Sequence, residues 1–403
     1  MVENVEENIQ EEVTPDNMNE VESPEIEIEA SMDEEQEDQE PQMTDEQSEA
    51  VEFFQNLAET MDDRVLTSLA MELVADYKKD KESRSDWEKS YISGLDLLGF
   101  KYDNASGPFL GASSVTHPLL AEAVTQFQSQ AYKELLPSDG PVRTQVVGNS
   151  TEEREQQAER VKEFMNYMIM DQMEEYTPEF DQMLFYLPLA GSTFKKVYYD
   201  ELMDRAVSKF IPAEDLVVPY YATDLKDCER ITHVLKMSEN DILKKQRAGF
   251  YRDIDILPSR KDDSDIQDKY DQLEGSSNPS DTDYQFNVLE MHVDLDLEEF
   301  EMDSDEKNIK VPFIVTLDEG SGEILSIYRN YDMKDEKQRR KDYFVHYKFL
   351  PGLGFYGFGL IHMIGGLSRT ATAALRQLLD AGTLSNLPAG FKSRGMRIRD
   401  EDQ

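Results

Sequence analysis

The chain has 403 residues, 39% hydrophobic and 31% charged, with 85 Asp and Glu against 41 Lys and Arg for a formal net charge of -44. That acidity excludes a groove gripping nucleic acid along its phosphates, though not a conduit in which DNA slides without sticking. The single Cys228 excludes an internal disulfide framework and a Cys-based zinc site, and the lack of eighteen consecutive apolar residues excludes a membrane span.

The length predicts two or more folding units. The first, residues 1–50, holds twenty Asp and Glu and no Lys or Arg. Such a leader cannot bury enough apolar surface to offset its chain entropy, so disorder is expected. The rest carries about -24, the -44 of the whole less the -20 of the leader. The N-terminus lacks the basic and apolar regions of a signal peptide, so an intracellular protein is expected.

Residues 51–137 read as a helical N-terminal region. Glu52 to Lys79 carries Phe53, Leu57, Leu66, Leu69, Leu73 and Val74 at helical spacing. Lys78 to Ser85 is a charged joint. A second helix carries Trp87, Tyr91, Leu95 and Leu98 and stops near Gly99. A Gly- and Ser-rich loop over Asn104 to Ser114 follows. Pro118 opens a third helix, where its missing amide hydrogen costs nothing, with a stripe from Leu119 to Leu135.

Residues 138–350 read as a mixed α and β region. Arg143 to Val147 is predicted as a short strand. Ser150 or Thr151 caps a helix whose Val161, Phe164, Met165, Met168, Ile169 and Met173 have core-facing spacing. From Phe194 the period changes to two. Strands are predicted over Phe194 to Tyr199, Ala206 to Ile211, Ile231 to Met237 and Phe286 to Leu297. Ser238 caps a short helix to Gln246. The polar run 262–283 is expected to be a mobile insertion. Val311 to Leu317 and Glu323 to Arg329 form a hairpin around Asp-Glu-Gly-Ser-Gly, and Tyr343 to Phe349 is a last strand. Helices, then strands, then a long helix give an α+β fold.

Gly352, Gly354 and Gly357 spell G-x-G-x-x-G between a strand and a helix, the order of a dinucleotide site. Phe355 and Tyr356, however, put rings where a pyrophosphate must meet bare backbone. The preceding strand alternates polar and apolar residues, and no acid follows at the end of a second strand to hold a ribose. No cofactor is expected. The five histidines share no metal-ligand spacing. His292 lies in a row with Glu290, Asp294 and Asp296; a divalent ion is one reading, and a solvated or subunit-facing strand edge is the commoner one.

Residues 351–403 hold the informative pattern. Leu360, Ile364, Leu367, Ala371, Ala374 and Leu378 alternate spacings of four and three, a heptad seam suited to a neighbouring helix. The core helix of a monomer would show the same pattern. Gly352, Gly354, Gly357 and Gly359 precede it as candidate hinges. Arg369 and Arg376 project from one side and suit DNA or inter-subunit ion pairs. Past the helix, Lys392, Arg394, Arg397 and Arg399 form either a solvated edge or a basic collar for phosphate or an acidic partner.

The order of these elements resembles the portal proteins of tailed bacteriophages, the head-to-tail connectors, in their short-tailed-phage form. The matching stretches begin with His117-Pro-Leu-Leu-Ala-Glu-Ala-Val-Thr-Gln-Phe127, Val142-Arg-Thr144 and Leu189-Ala-Gly-Ser-Thr-Phe-Lys-Lys-Val-Tyr-Tyr199. They continue with Ile211-Pro-Ala-Glu-Asp-Leu-Val-Val-Pro219, Arg230-Ile-Thr-His-Val-Leu-Lys-Met-Ser238, Tyr356-Gly-Phe-Gly359 and Asn386-Leu-Pro-Ala-Gly390. The resemblance covers Trp87 to Gln403. It implies a non-enzymatic, ring-forming subunit, twelve to a ring, at a capsid vertex. Double-stranded DNA would pass through that ring during genome packaging and ejection. It further implies a wing in the strand-rich middle, a stem from residue 351 and a clip from Asn386. Terminase, capsid and scaffolding proteins, and tail adaptors are the implied partners. The location would be the virion, after assembly in the host cytoplasm. Portals continue through the clip, a second stem helix and a crown, so this chain resembles an N-terminal portion. Two alternatives from other classes are a nucleotide- or metal-dependent enzyme using the glycine loop, and an acidic adaptor acting through the leader.

Overall fold

The computed structural model describes residues 52–100, 112–200, 203–256, 265–275, 285–297 and 310–386. All fall within one compact unit, Glu49–Gln403. The acidic leader 1–50, the loop core around Phe109 and Leu110, and the basic residues Lys392, Arg394, Arg397 and Arg399 lie outside the described residues.

Among the described residues, eight helices and two antiparallel sheets make the expected α+β fold. Asp62 caps helix α1 (Asp63–Ser83) by accepting from the amide of Arg64, so the stretch expected as one helix from Glu52 is instead broken before Asp63, with a short 3-10 turn at Leu57–Glu59. Helix α2 (Ser85–Leu95) follows a one-residue break at Arg84. It ends through a 3-10 turn at Gly99, whose φ of 71° only glycine takes cheaply. Helix α3 is Leu119–Leu135, α4 is Glu152–Tyr167 and α5 is Tyr176–Ala190. The short helices are α6 (Glu239–Arg247), capped by Ser238 as expected, and α7 (Asp265–Glu274); the last is α8 (Leu360–Asn386).

Strands β1 (Ser192–Asp200), β2 (Arg205–Pro212) and β8 (Phe344–Lys348) form a three-stranded sheet in the order β2-β1-β8. Strands β3 (Leu216–Val217), β4 (Arg230–Ser238), β5 (Gln285–Leu295), β6 (Val311–Asp318) and β7 (Ile324–Arg329) form a five-stranded sheet in chain order. In the β6–β7 turn the Asp318 carboxylate accepts from the amide and hydroxyl of Ser321.

The layers follow from alternation along the strands. Leu289, Met291, Val293, Val315 and Leu317 face α1, packing on Leu66, Leu73 and Tyr77. The opposite side of the five-stranded sheet meets the three-stranded sheet through Phe194, Ile211, Leu216, Ile231 and Phe344. Phe180, Met183 and Leu184 of α5 close the far side against Phe210 and Tyr347, with Phe127 and Ala131 of α3. These clusters cross the boundaries at 137 and 350. The three regions read from composition are therefore stretches of one packed body, because each alone leaves an apolar face uncovered.

Three expectations need correcting. Residues 143–147 are extended but pair with no strand; Thr144 instead donates to the Ala158 carbonyl, and Asn166 brackets Val142, so the segment lies along α4. Helix α4 has no buried residue despite its core-facing spacing: Val161 is 50% and Phe164 60% exposed. Within the supposed mobile insertion, Asp265–Glu274 is a helix that buries Ile266 and brings Tyr270 onto the main body, a helical stripe masked by its acids.

Candidate functional site: the glycine crossing and the root of the last helix

Two backbones cross where α5 turns into β1. Gly191 ends α5 with φ 90°, and its amide donates to the Leu187 carbonyl at 2.9 Å. Opposite it runs the segment before α8, closed on itself by Phe358 N–H donating to Leu350 O at 2.8 Å. A Cβ on Gly357 would lie 2.9 Å from Leu350 O, and one on Gly359 2.6 Å from Gly191 N. These two glycines are packing positions required by the close approach. Gly352 sits against the Tyr356 carbonyl, while Gly354 faces open space. None of the four expected hinge residues has positive φ.

The crossing also disposes of the phosphate-loop pattern. Gly357 N–H donates to Ser192 Oγ at 2.7 Å, and Gly359 N–H to His362 Nδ1 at 3.1 Å. With Phe358 also engaged, three successive amides at the helix entry serve the fold. Phe355 turns inward beside His346 and Phe194, at ring separations of 4.7 and 5.8 Å, and Tyr356 stacks on Trp87 at 4.8 Å. The rings that looked unsuitable for a pyrophosphate are core residues.

The root of α8 is anchored by Ile361, Gly365 and Ser368. Ile361 fills the notch left by Gly94, where a Cβ would come within 2.6 Å of its Cδ1. Of the predicted seam, Leu360 and Ile364 pack into this root beside Tyr91, Leu95, Leu98 and Leu120. Ala371 is half-buried; Leu367, Ala374 and Leu378 are exposed, at 62% for Leu367 and 71% for Leu378. The chain's own contacts thus use a face one residue displaced from the heptad seam.

Arg376 does not project as expected. Its guanidinium donates to the carbonyls of Val115 and Ser114 at 2.7 and 3.2 Å and to Thr116 Oγ1 at 3.2 Å. Asp380 accepts from Ser113 N–H, and Thr372 Oγ1 from His117 N–H. Arg376 therefore straps segment 113–117 to α8, leaving Arg369 exposed on the helix surface.

The acidic row of β5 is no sheet edge: His292 is buried and Glu290 and Asp294 are half-buried, while Asp296, past the end of the strand, is exposed. β5 lies between β4 and β6, and its polar side faces the three-stranded sheet. Lys196 Nζ reaches both oxygens of Glu290 at 2.6 Å, and His292 Nε2 lies 2.8 Å from Glu290 Oε1. Burial would raise the Glu290 pKa, but Lys196 and then His292 outweigh it and hold the carboxylate well below its usual range. Burial pushes His292 down. Within the row it is Glu290 that joins the two sheets, through Lys196, and no group of three or more metal-ligating side chains occurs among the described residues.

Arg84 was read only as part of a charged joint. Buried at the α1–α2 break, it donates to the carbonyls of Ala213 and Leu216 at 3.0 and 2.9 Å and to that of Glu214. It also donates to Tyr356 Oη at 3.2 Å. It thereby ties the two sheets' connector to the glycine segment. Beside it Glu214 is half-buried: Oε1 accepts from Tyr270 Oη at 2.7 Å, and Oε2 is shielded from solvent with no partner among the described residues. Burial first, and then Asp215, push its pKa up to about 7. No local pattern marks Glu214 as unusual in so acidic a chain. A lone Arg where two amphipathic helices meet was the available signal for Arg84.

No family model matches this chain, and no curated protein matches it. Among the described residues no helix is long and apolar enough to cross a membrane.

Proposed function

We propose that the chain is a portal-type subunit, assembling into a ring through which double-stranded DNA is packaged and ejected, with terminase and tail adaptors docking on it. One observation carries the assembly reading: the outer part of the heptad seam, Leu367, Ala374 and Leu378, stands uncovered on a helix rooted by its first three turns. At 27 residues, α8 is about 40 Å long, and its last six residues are all exposed. An apolar stripe on such a helix is stable in water when another helix covers it. Helix α4 leaves a second, different apolar face open. Unlike faces on one chain suit the head-to-tail contacts that close rings. The acidic balance suits a passage DNA must not adhere to.

The test is sedimentation velocity and native mass measurement across a concentration series, comparing the chain with a Leu367→Glu, Leu378→Glu variant. We expect a closed oligomer for the parent and a monomer with an unchanged melting curve for the variant. A parent that stays monomeric at high concentration overturns the reading.

A further inference from the structure

A polar chain runs from the body into helix α7. Tyr91 Oη lies 2.9 Å from Tyr270 Oη, which donates to Glu214. The rest of its attachment is modest: Ile266 is buried, Leu273 packs on the same cluster, Lys269 pairs with Asp96, and Gln267 accepts from Lys236. A ten-residue helix is marginal alone, so these contacts decide whether it forms.

Glu214 sits where such a helix can be gated. The residue is half-buried: Oε1 serves Tyr270, and Oε2 is shielded from solvent and faces no donor among the described residues. A neutral carboxyl tolerates that arrangement; a carboxylate leaves charge on an unpartnered buried oxygen, which water would relieve. Around it are Asp215 on its own turn, Arg84 at the α1–α2 joint, Tyr91 on α2, Tyr186 on α5 and Tyr270 on α7. Lys236 of β4 acts on Asp215, and Glu274 of α7 on Tyr186. The Tyr270 hydrogen bond, which a carboxylate accepts as readily, and Arg84 favour ionisation of Glu214, but burial outweighs them, and the Arg84 donors already hold three carbonyls, Tyr356 and Glu88.

We propose that the protonation state of Glu214 controls the docking of α7: the neutral carboxyl latches the helix through Tyr270, and ionisation releases it. The inference stands on this core geometry, independent of ring assembly. The sign follows from linkage: the docked carboxyl binds its proton more tightly than an exposed one. Docking is strongest below the ordinary carboxyl range and weakens as pH rises to about 7. Release would uncover Tyr91 and the cluster that holds the root of α8.

The full chain reports on this without labels, because its single tryptophan, Trp87, stacks on Tyr91 at 5.5 Å. The experiment follows Trp87 fluorescence and amide exchange of 265–275 between pH 5 and 8, after correction for intrinsic exchange. Protection of α7 should fall by roughly one to two orders of magnitude across that range, with the Trp87 signal moving in step. Glu214→Gln should abolish both transitions while protection of β4–β6 is kept. Asp215→Asn, which removes the neighbouring acid, should move the midpoint to lower pH. Flat α7 protection in the parent, a transition that persists in Glu214→Gln, or an unmoved midpoint in Asp215→Asn would each overturn the proposal.

Discussion

Gly359→Ala perturbs the crossing with the smallest possible side chain. The new methyl carbon would lie 2.6 Å from Gly191 N and closer still to the Leu189 carbonyl oxygen, both backbone atoms of the opposite strand of the crossing. Ordinary contact needs about 3.5 Å, so the two backbones must part by about 1 Å. Forcing that much into a packed site costs about 1–3 kcal/mol. The same movement strains Phe349 N–H to Gly191 O at 3.0 Å and Gly357 N–H to Ser192 Oγ at 2.7 Å, worth about 1 kcal/mol each. The expected loss is about 3–5 kcal/mol, a large share of the roughly 5–15 kcal/mol of a typical fold. Gly354→Ala is the control, since nothing lies within 4 Å of its Cβ and its φ is ordinary. That change should stay within about 0.5 kcal/mol. Urea unfolding followed by circular dichroism, with both variants beside the parent, reads the difference. Equal midpoints for the two alanine variants would refute the claim that Gly359 is there for close approach.

Two further outcomes follow from the buried charges. Lys196→Met strands the Glu290 carboxylate between the sheets and should cost about 3–5 kcal/mol in unfolding free energy, most of it recovered by adding Glu290→Gln; no recovery would show that the lysine matters through packing alone. Burial pushes His233 and His346 down to about 3 and lowers His292. The unfolded chain therefore takes up protons the folded chain refuses, and stability should be lost as pH falls from about 6.5 towards 3. Denaturation midpoints that stay flat over that window would contradict the burial of these rings.

Much of the fold was legible in local pattern. Period-two alternation located β1, β2, β4 and β5, the Asp-Glu-Gly-Ser-Gly turn located β6 and β7, and Ser238 announced α6. These signals are local because hydrogen bonding, capping and turn chemistry act over a few residues. The sequence by itself also weighed against a phosphate cradle in the glycine segment, because Phe355 and Tyr356 stand where a pyrophosphate would need bare backbone. Only the tertiary structure decided which of two equivalent faces each amphipathic element buries. The spacing of Val161, Phe164 and Met165 promised a core face, yet no residue of α4 is buried among the described residues; of the α8 seam beyond Ile364, Leu367, Ala374 and Leu378 likewise stay open. Periodicity states that a face must be covered and not by what. The same limit hid Glu214, one acid among 85, and the partner of Glu290, because their character comes from Tyr270 and Lys196, distant residues brought beside them by folding.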